Sequence, residues 1–233
     1  MKQDLPFYHL CIETATEVCS VALGNGTSLV LEDNINRKNS HTETLTLQIE
    51  GLLDKSGISY KDLKGVALSK GPGSYTGLRV GTSVAKGICY ALGTPMVAVD
   101  TLFGIAYGVK EVPKEGQLII PMIDARRQEV YTAQYDHNLE EVSEVQNLII
   151  KEGVFNDLSA ESVILCGNGA FKCEGIDLGI PYQIINTTCR AATLIERSYD
   201  LLINGKKEDI AYFNPYYHKA PNVTKSKKNV LDS

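Results

Sequence analysis

Apolar and polar positions along the chain change period several times, and each change marks an element. His9 to Glu13 and Val18 to Leu23 are short apolar-rich runs, predicting two strands of a hairpin turned by Thr14-Ala15-Thr16-Glu17. Gly24-Asn25-Gly26 is a turn signal ahead of a third strand, Ser28 to Glu32. Ser40-His41-Thr42-Glu43 has the form of a capping box, in which the serine hydroxyl serves a free helix N–H and Glu43 reaches back. Leu45, Ile49, Leu52 and Leu53 then fall on one face of a helix that Gly57 ends. Val66 to Ser69 predicts a buried strand, and a helical pattern follows to about Leu92. Met96 to Val99 is another strand and Thr101 to Tyr107 a further helix.

The pattern then restarts. Leu118 to Asp124 and Glu129 to Tyr135 form a second hairpin around Ala125-Arg126-Arg127-Gln128. Ile12-Glu13 in the first hairpin matches Ile123-Asp124 in the second, and Glu17-Val18 matches Glu129-Val130, with one extra residue in the second turn. Val163 to Leu165, followed by Cys166-Gly167-Asn168-Gly169, repeats an arrangement of strand and then glycine. A helix from about Ala191 to Ile203 ends at Asn204-Gly205. The chain therefore reads as an internally duplicated α/β protein with its junction near Gly104 to Gly116. The two lobes are expected at 1–103 and 104–233.

Between the strand ending at Ser69 and its helix lies Gly71-Pro72-Gly73-Ser74-Tyr75-Thr76-Gly77-Leu78-Arg79-Val80-Gly81. Strand, glycine-rich turn and helix start direct backbone N–H groups and the positive end of a helix dipole into one small space. Such a turn either holds an anion or brings a helix close to a neighbouring segment. It is not Walker A, because Leu78 and Arg79 stand where Lys and Ser/Thr are needed. The dinucleotide fingerprint is excluded too, since its last glycine gap holds three residues here.

Composition narrows the class. The 233 residues are 43% hydrophobic and 22% charged, ordinary globular material. A formal net charge of -5 argues against a primary nucleic-acid binder, so any RNA is expected to be held through a partner. Met1 to Leu10 has no signal-peptide pattern, and no apolar run approaches a membrane span, which points to a cytoplasmic chain without membrane contact. Cys11, Cys19, Cys89, Cys166, Cys173 and Cys189 form no C-x-x-C pair and read as reduced, buried side chains.

GPGSYTGLRVG followed by Ala85-Lys86-Gly87 resembles the signature of the TsaB (YeaZ) family. The resemblance extends almost end to end, through Ile12-Glu13-Thr14, Ser40-His41-Thr42-Glu43, Ile123-Asp124-Ala125-Arg126 and Pro215-Tyr216-Tyr217. It implies the duplicated fold of actin, hexokinase and the Hsp70 ATPase. It also implies a non-catalytic subunit that activates a TsaD-type homologue in threonylcarbamoylation of the adenosine next to the tRNA anticodon. The implied partners are that homologue, a third subunit that is a P-loop ATPase of the TsaE type, and a second copy of the chain when it is alone. Two stretches depart from the family and one position differs from its catalytic sister. Glu13-Thr14-Ala15 stands for Asp-Thr-Ser, Leu45 stands where the catalytic sister has a second histidine after His41, and Tyr217-His218-Lys219 replaces Leu-Arg.

These residues leave no catalytic, cofactor or metal site to assign. Glu13 and Asp124 end matching strands and could face each other across a cleft, as carboxylates in actin-like kinases do; the other reading is two turn-stabilising carboxylates. The alternative function is accordingly a nucleotide-dependent actin-like kinase or ATPase acting alone. Gly77, Gly81 and Ala85 make a smooth stripe that admits either a partner backbone or the lobe's own sheet. Since the family pairs through helices of the first lobe, the resemblance implies an interface at His41, Leu45, Gly77, Leu78, Gly81 and Ala85. Lys225, Lys227 and Lys228 belong to a polar tail, read as solvated or as a modest RNA or partner contact.

Overall fold

A computed structural model describes residues 5–36 and 41–218, apart from the side chains of 41–43. The capping box at Ser40 and the lysines of the tail lie outside the described residues. The first sheet is built from β1 (Tyr8–Glu13), β2 (Val18–Asn25), β3 (Ser28–Asn36), β4 (Leu63–Ser69) and β5 (Met96–Val99). Its order is β3-β2-β1-β4-β5, with β1 antiparallel to β2 and parallel to β4. The second sheet comprises β6 (Gln117–Asp124), β7 (Glu129–Tyr135), β8 (Glu141–Ile149), β9 (Ser162–Cys166) and β10 (Tyr182–Ile185). Its order is β10-β9-β6-β7-β8, the same topology run from the other edge. The molecule is the duplicated actin-like α/β fold, a mixed sheet flanked by helices in each lobe.

Side-chain alternation explains why β1 and β2 are buried on both faces. Leu10, Ile12, Val21 and Leu23 join one core under α1 (His41–Ser56) and α2 (Tyr75–Leu92). Cys11 and Ala22, with Ala67 and Val97, face the other way onto α4 (Ile195–Ile203) and the 3-10 turn before it, Ala191–Leu194. The residues of this second face are small, which lets the helix lie close. All six cysteines are free and buried.

The expected lobe boundary needs correction. A cut between 103 and 104 falls inside α3 (Thr101–Tyr107), whose Leu102, Ile105 and Ala106 pack with Ile119, Ile123 and Ile164 of the second sheet. Conversely, α4 covers the first sheet, although it follows the second in sequence. The lobes exchange a helix each. Glu32 of β3 secures the returning segment, pairing with Arg190 and accepting the Ala192 N–H at 3.1 Å.

Candidate functional site

The Gly71–Gly81 segment meets the β1–β2 turn at the start of α2. Ser74 caps the helix, its Oγ accepting the Gly77 N–H at 3.2 Å, while the Ser74 N–H donates to the Ala15 carbonyl at 2.6 Å. The glycines are required by close approach. A Cβ on Gly73 would sit 2.4 Å from the Ala15 carbonyl oxygen, one on Gly77 2.1 Å from that of Thr14, and one on Gly81 2.4 Å from Thr14 Oγ1. Of the two readings of this turn, the geometry supports the second. The space at the helix N-terminus is filled by the chain's own Thr14-Ala15, so it is no open phosphate cradle.

The small-residue stripe is corrected by the same contacts. Gly77 and Gly81 face Thr14, while Leu78 and Ala85 are buried. Leu45 likewise lies in the core under α1, so five of the six expected interface residues offer no side chain to a partner. His41 begins α1, and its side chain is outside the described residues.

The opposite face of the two helices is what lies open. On α2 it comprises Thr76, Ser83, Gly87 and Ala91, all exposed, while Val80, Val84 and Ile88 flank it and pack against the first core. On α1 it includes Leu47, 66% exposed, and Gly51. A Cβ on Gly51 or Gly87 would meet nothing within 4 Å among the described residues. Neither glycine serves packing among the described residues. The signal that could have found them is phase: Leu78, Thr82, Ala85 and Cys89 set the buried side of α2, and Gly87 falls opposite.

Both matched carboxylates are engaged. Glu13 is fully buried, and its Oε1 accepts the Ala15 N–H at 2.6 Å and the Ser69 hydroxyl at 2.9 Å. Burial pushes its carboxyl up to about 7, against the lowering effect of those hydrogen bonds and the Thr14 N–H. Asp124 is exposed instead; its Oδ1 accepts the Arg126 N–H at 2.6 Å and pairs with Lys172 Nζ at 2.5 Å. Each carboxylate bonds the N–H two residues on, so the duplication extends to turn chemistry. Their surroundings differ, one dry and one ion-paired.

Residues 208–218 form a strap over α2. Lys86 Nζ donates to the Phe213 carbonyl at 2.8 Å, and the Tyr216 N–H donates to that of Lys70 at 2.7 Å. The departures from the family pattern have definite places. Tyr217 OH accepts from Arg79 Nε at 3.3 Å beside Tyr75, and the His218 ring stands edge-on to Tyr131 of β7. Among the described residues no helix is long and apolar enough to cross a membrane.

With this geometry in view, the chain can be set beside known proteins. A family model described as "TsaD: tRNA N6-adenosine threonylcarbamoyltransferase" matches residues 34–209. The tRNA threonylcarbamoyladenosine biosynthesis protein TsaB of Escherichia coli is 37% identical over 130 residues. That match covers 55% of this chain and 55% of the relative, about half the length of each. YeaZ from Pseudomonas aeruginosa superposes with a TM-score of 0.77 at 24% identity, covering 91% of this chain and 99% of that one. An activator of 2-hydroxyisocaproyl-CoA dehydratase from Clostridium difficile, solved with bound ADPNP, shares the fold at a TM-score of 0.53 and 12% identity, covering 86% of this chain and 97% of that one. The chain thus belongs to the family that the TsaD model describes, in its TsaB (YeaZ) branch.

Proposed function

We propose that this chain is an accessory, non-catalytic subunit in the formation of threonylcarbamoyladenosine in tRNA. In this reading it docks a TsaD-type catalytic homologue and thereby activates it. A P-loop ATPase of the TsaE type is the third component, the chain pairs with itself when alone, and RNA is engaged only within the assembly. The observation that carries the non-catalytic role is the filling of the α2 N-terminus by Thr14-Ala15, together with the commitment of Glu13 and Asp124 to their own turns. A kinase that used these two carboxylates would need at least one of them free for a metal ion or for proton transfer.

The outward face of α1 and α2 is the proposed dock. A glycine in a helix interior costs roughly 0.8–1 kcal/mol relative to alanine. Gly51 and Gly87 both bear that cost with nothing above them among the described residues. A closely approaching partner helix gives both glycines a purpose, and Leu47 supplies exposed apolar contact on the same face of α1.

The test is depletion of this chain from cells, followed by quantification of threonylcarbamoyladenosine in tRNA and capture of the TsaD-type homologue on the tagged chain. The nucleoside should fall and return with the wild-type chain. Unchanged nucleoside levels would end this reading. So would ATP turnover by the isolated chain that a Glu13→Ala, Asp124→Ala double variant abolishes.

A further inference from the structure

The turn between β6 and β7 carries a feature that packing does not explain. Arg126 and Arg127 hold φ of 71° and 50°, in the left-handed region that glycine and asparagine occupy at least cost. Leu139 also has a positive φ, but its side chain packs against the second core. The two arginines are exposed, and among the described residues neither guanidinium has an ion-pair, hydrogen-bond or ring partner. The turn itself is rigid. The Glu129 N–H donates to the Arg126 carbonyl at 3.1 Å and the Ala125 N–H to the Glu129 carbonyl at 3.0 Å.

The surroundings add positive charge, although the whole chain is acidic at -5. The Ile150 N–H donates to the Gln128 carbonyl at 2.8 Å, which brings the neighbouring, exposed Lys151 to the same hairpin. The carboxylate of Asp124 is already paired with Lys172, and that of Glu129 accepts from Asn147 at 2.8 Å. So the arginines project from a stiff tip whose own acids are occupied. The positive φ values serve the hairpin turn, but among the described residues the guanidinium groups that it carries serve no contact, and exposed charges held on a rigid turn point to an external role.

We infer that the tip of the β6–β7 hairpin, through Arg126 and Arg127, contacts phosphodiester oxygens of the RNA that the assembled complex modifies. This rests on the function proposed above. Guanidinium forks match phosphate oxygens with two parallel hydrogen bonds, and such contacts need an exposed tip but no pocket. An acidic protein partner is the competing occupant. The RNA is favoured because the tip lies on the second sheet, whereas the proposed protein dock lies on the first-lobe helices α1 and α2.

The experiment uses the reconstituted complex and an unmodified tRNA transcript. Arg126→Asn combined with Arg127→Gly removes both charges while placing residues that accept positive φ. The variant should melt no earlier than the wild type, assemble normally, and bind the transcript more weakly. The plot of log affinity against log salt should become shallower by roughly 1.5, since two phosphate contacts are lost. Lys206→Ala with Lys207→Ala, an exposed pair far along the chain, removes equal charge and should leave the slope unchanged. An unchanged slope in the arginine variant would overturn the inference while leaving the proposed function intact. Loss of assembly with retained folding would overturn it in favour of a protein contact. If the wild-type complex neither binds nor modifies the transcript, the functional reading itself falls.

Discussion

Glu13 shows how one buried carboxyl ties stability to pH. Unfolded, it titrates near 4.5; in the fold its carboxyl is pushed up to about 7, chiefly by burial. Between those values the native chain keeps a proton that the unfolded chain has released. Stability therefore falls as pH rises through that window, and the full penalty is present above it. Glu13→Gln keeps an oxygen acceptor for the Ala15 N–H and the Ser69 hydroxyl but cannot ionise. The variant should match the wild type near pH 4.5 and exceed it at pH 8 by at most roughly 3 kcal/mol. Urea unfolding at both pH values reads this directly, and a constant difference between them would refute it. The family's usual Asp-Thr-Ser gives no hint of this behaviour. It follows from the burial of Glu13, 1% exposed, beneath the turn that seals α2.

At the scale of the element, α2 carries two small-residue faces that a sequence cannot tell apart by residue type. Gly77, Gly81 and Ala85 lie inward and Ser83, Gly87 and Ala91 outward. Substitution separates them by sign. Gly81→Leu must displace Thr14, a conflict with a packed turn that typically costs about 1–3 kcal/mol. Gly87→Leu meets open space in a helix interior and should raise the stability of the isolated chain by about 0.8–1 kcal/mol. If the outward face is the dock, the same Gly87→Leu should weaken association with the TsaD-type homologue. Melting of the dilute chain and sedimentation of the mixture check both halves. Association unchanged by Gly87→Leu would move the dock elsewhere. The hairpins, helices and glycine turn were legible because their signals are local: two-residue alternation, a 3.6-residue period, turn glycines. The direction of the stripe was not, since it depends on the β1–β2 turn folding back onto α2 from about sixty residues away.

For the whole molecule, the duplication was visible in the sequence, but the helix exchange was not. Matching Glu13 with Asp124 needs only two short strings, whereas the destination of α4 is set by the small outer face of Cys11, Ala22 and Ala67, residues that read equally well as ordinary strand interior. β8 and β10 escaped for a related reason. They are sheet-edge strands, and the half-exposed pattern of β8 leaves little apolar signal. The exchange has a thermodynamic consequence. Unfolding the first lobe alone would strip α4 of its partner sheet, and unfolding the second alone would strip α3. Neither half closes a core by itself, so the chain should unfold in one transition. Tyrosine fluorescence suits the experiment, since the chain has 12 tyrosines and no tryptophan. It should trace the same urea curve as far-UV circular dichroism. Glu32→Ala tests the mechanism, because it removes the acceptor for Arg190 and for the Ala192 N–H at the point where the chain returns to the first lobe. The side chain of Glu32 is 6% exposed, so its loss leaves the part-buried Ala192 N–H without its acceptor, while the half-exposed Arg190 turns to solvent. A cost of about 1–3 kcal/mol is expected, with both probes shifting together. Separate transitions for the two probes in the wild type, or a Glu32→Ala variant in which only one part melts early, would show that the lobes are independent despite their shared helices.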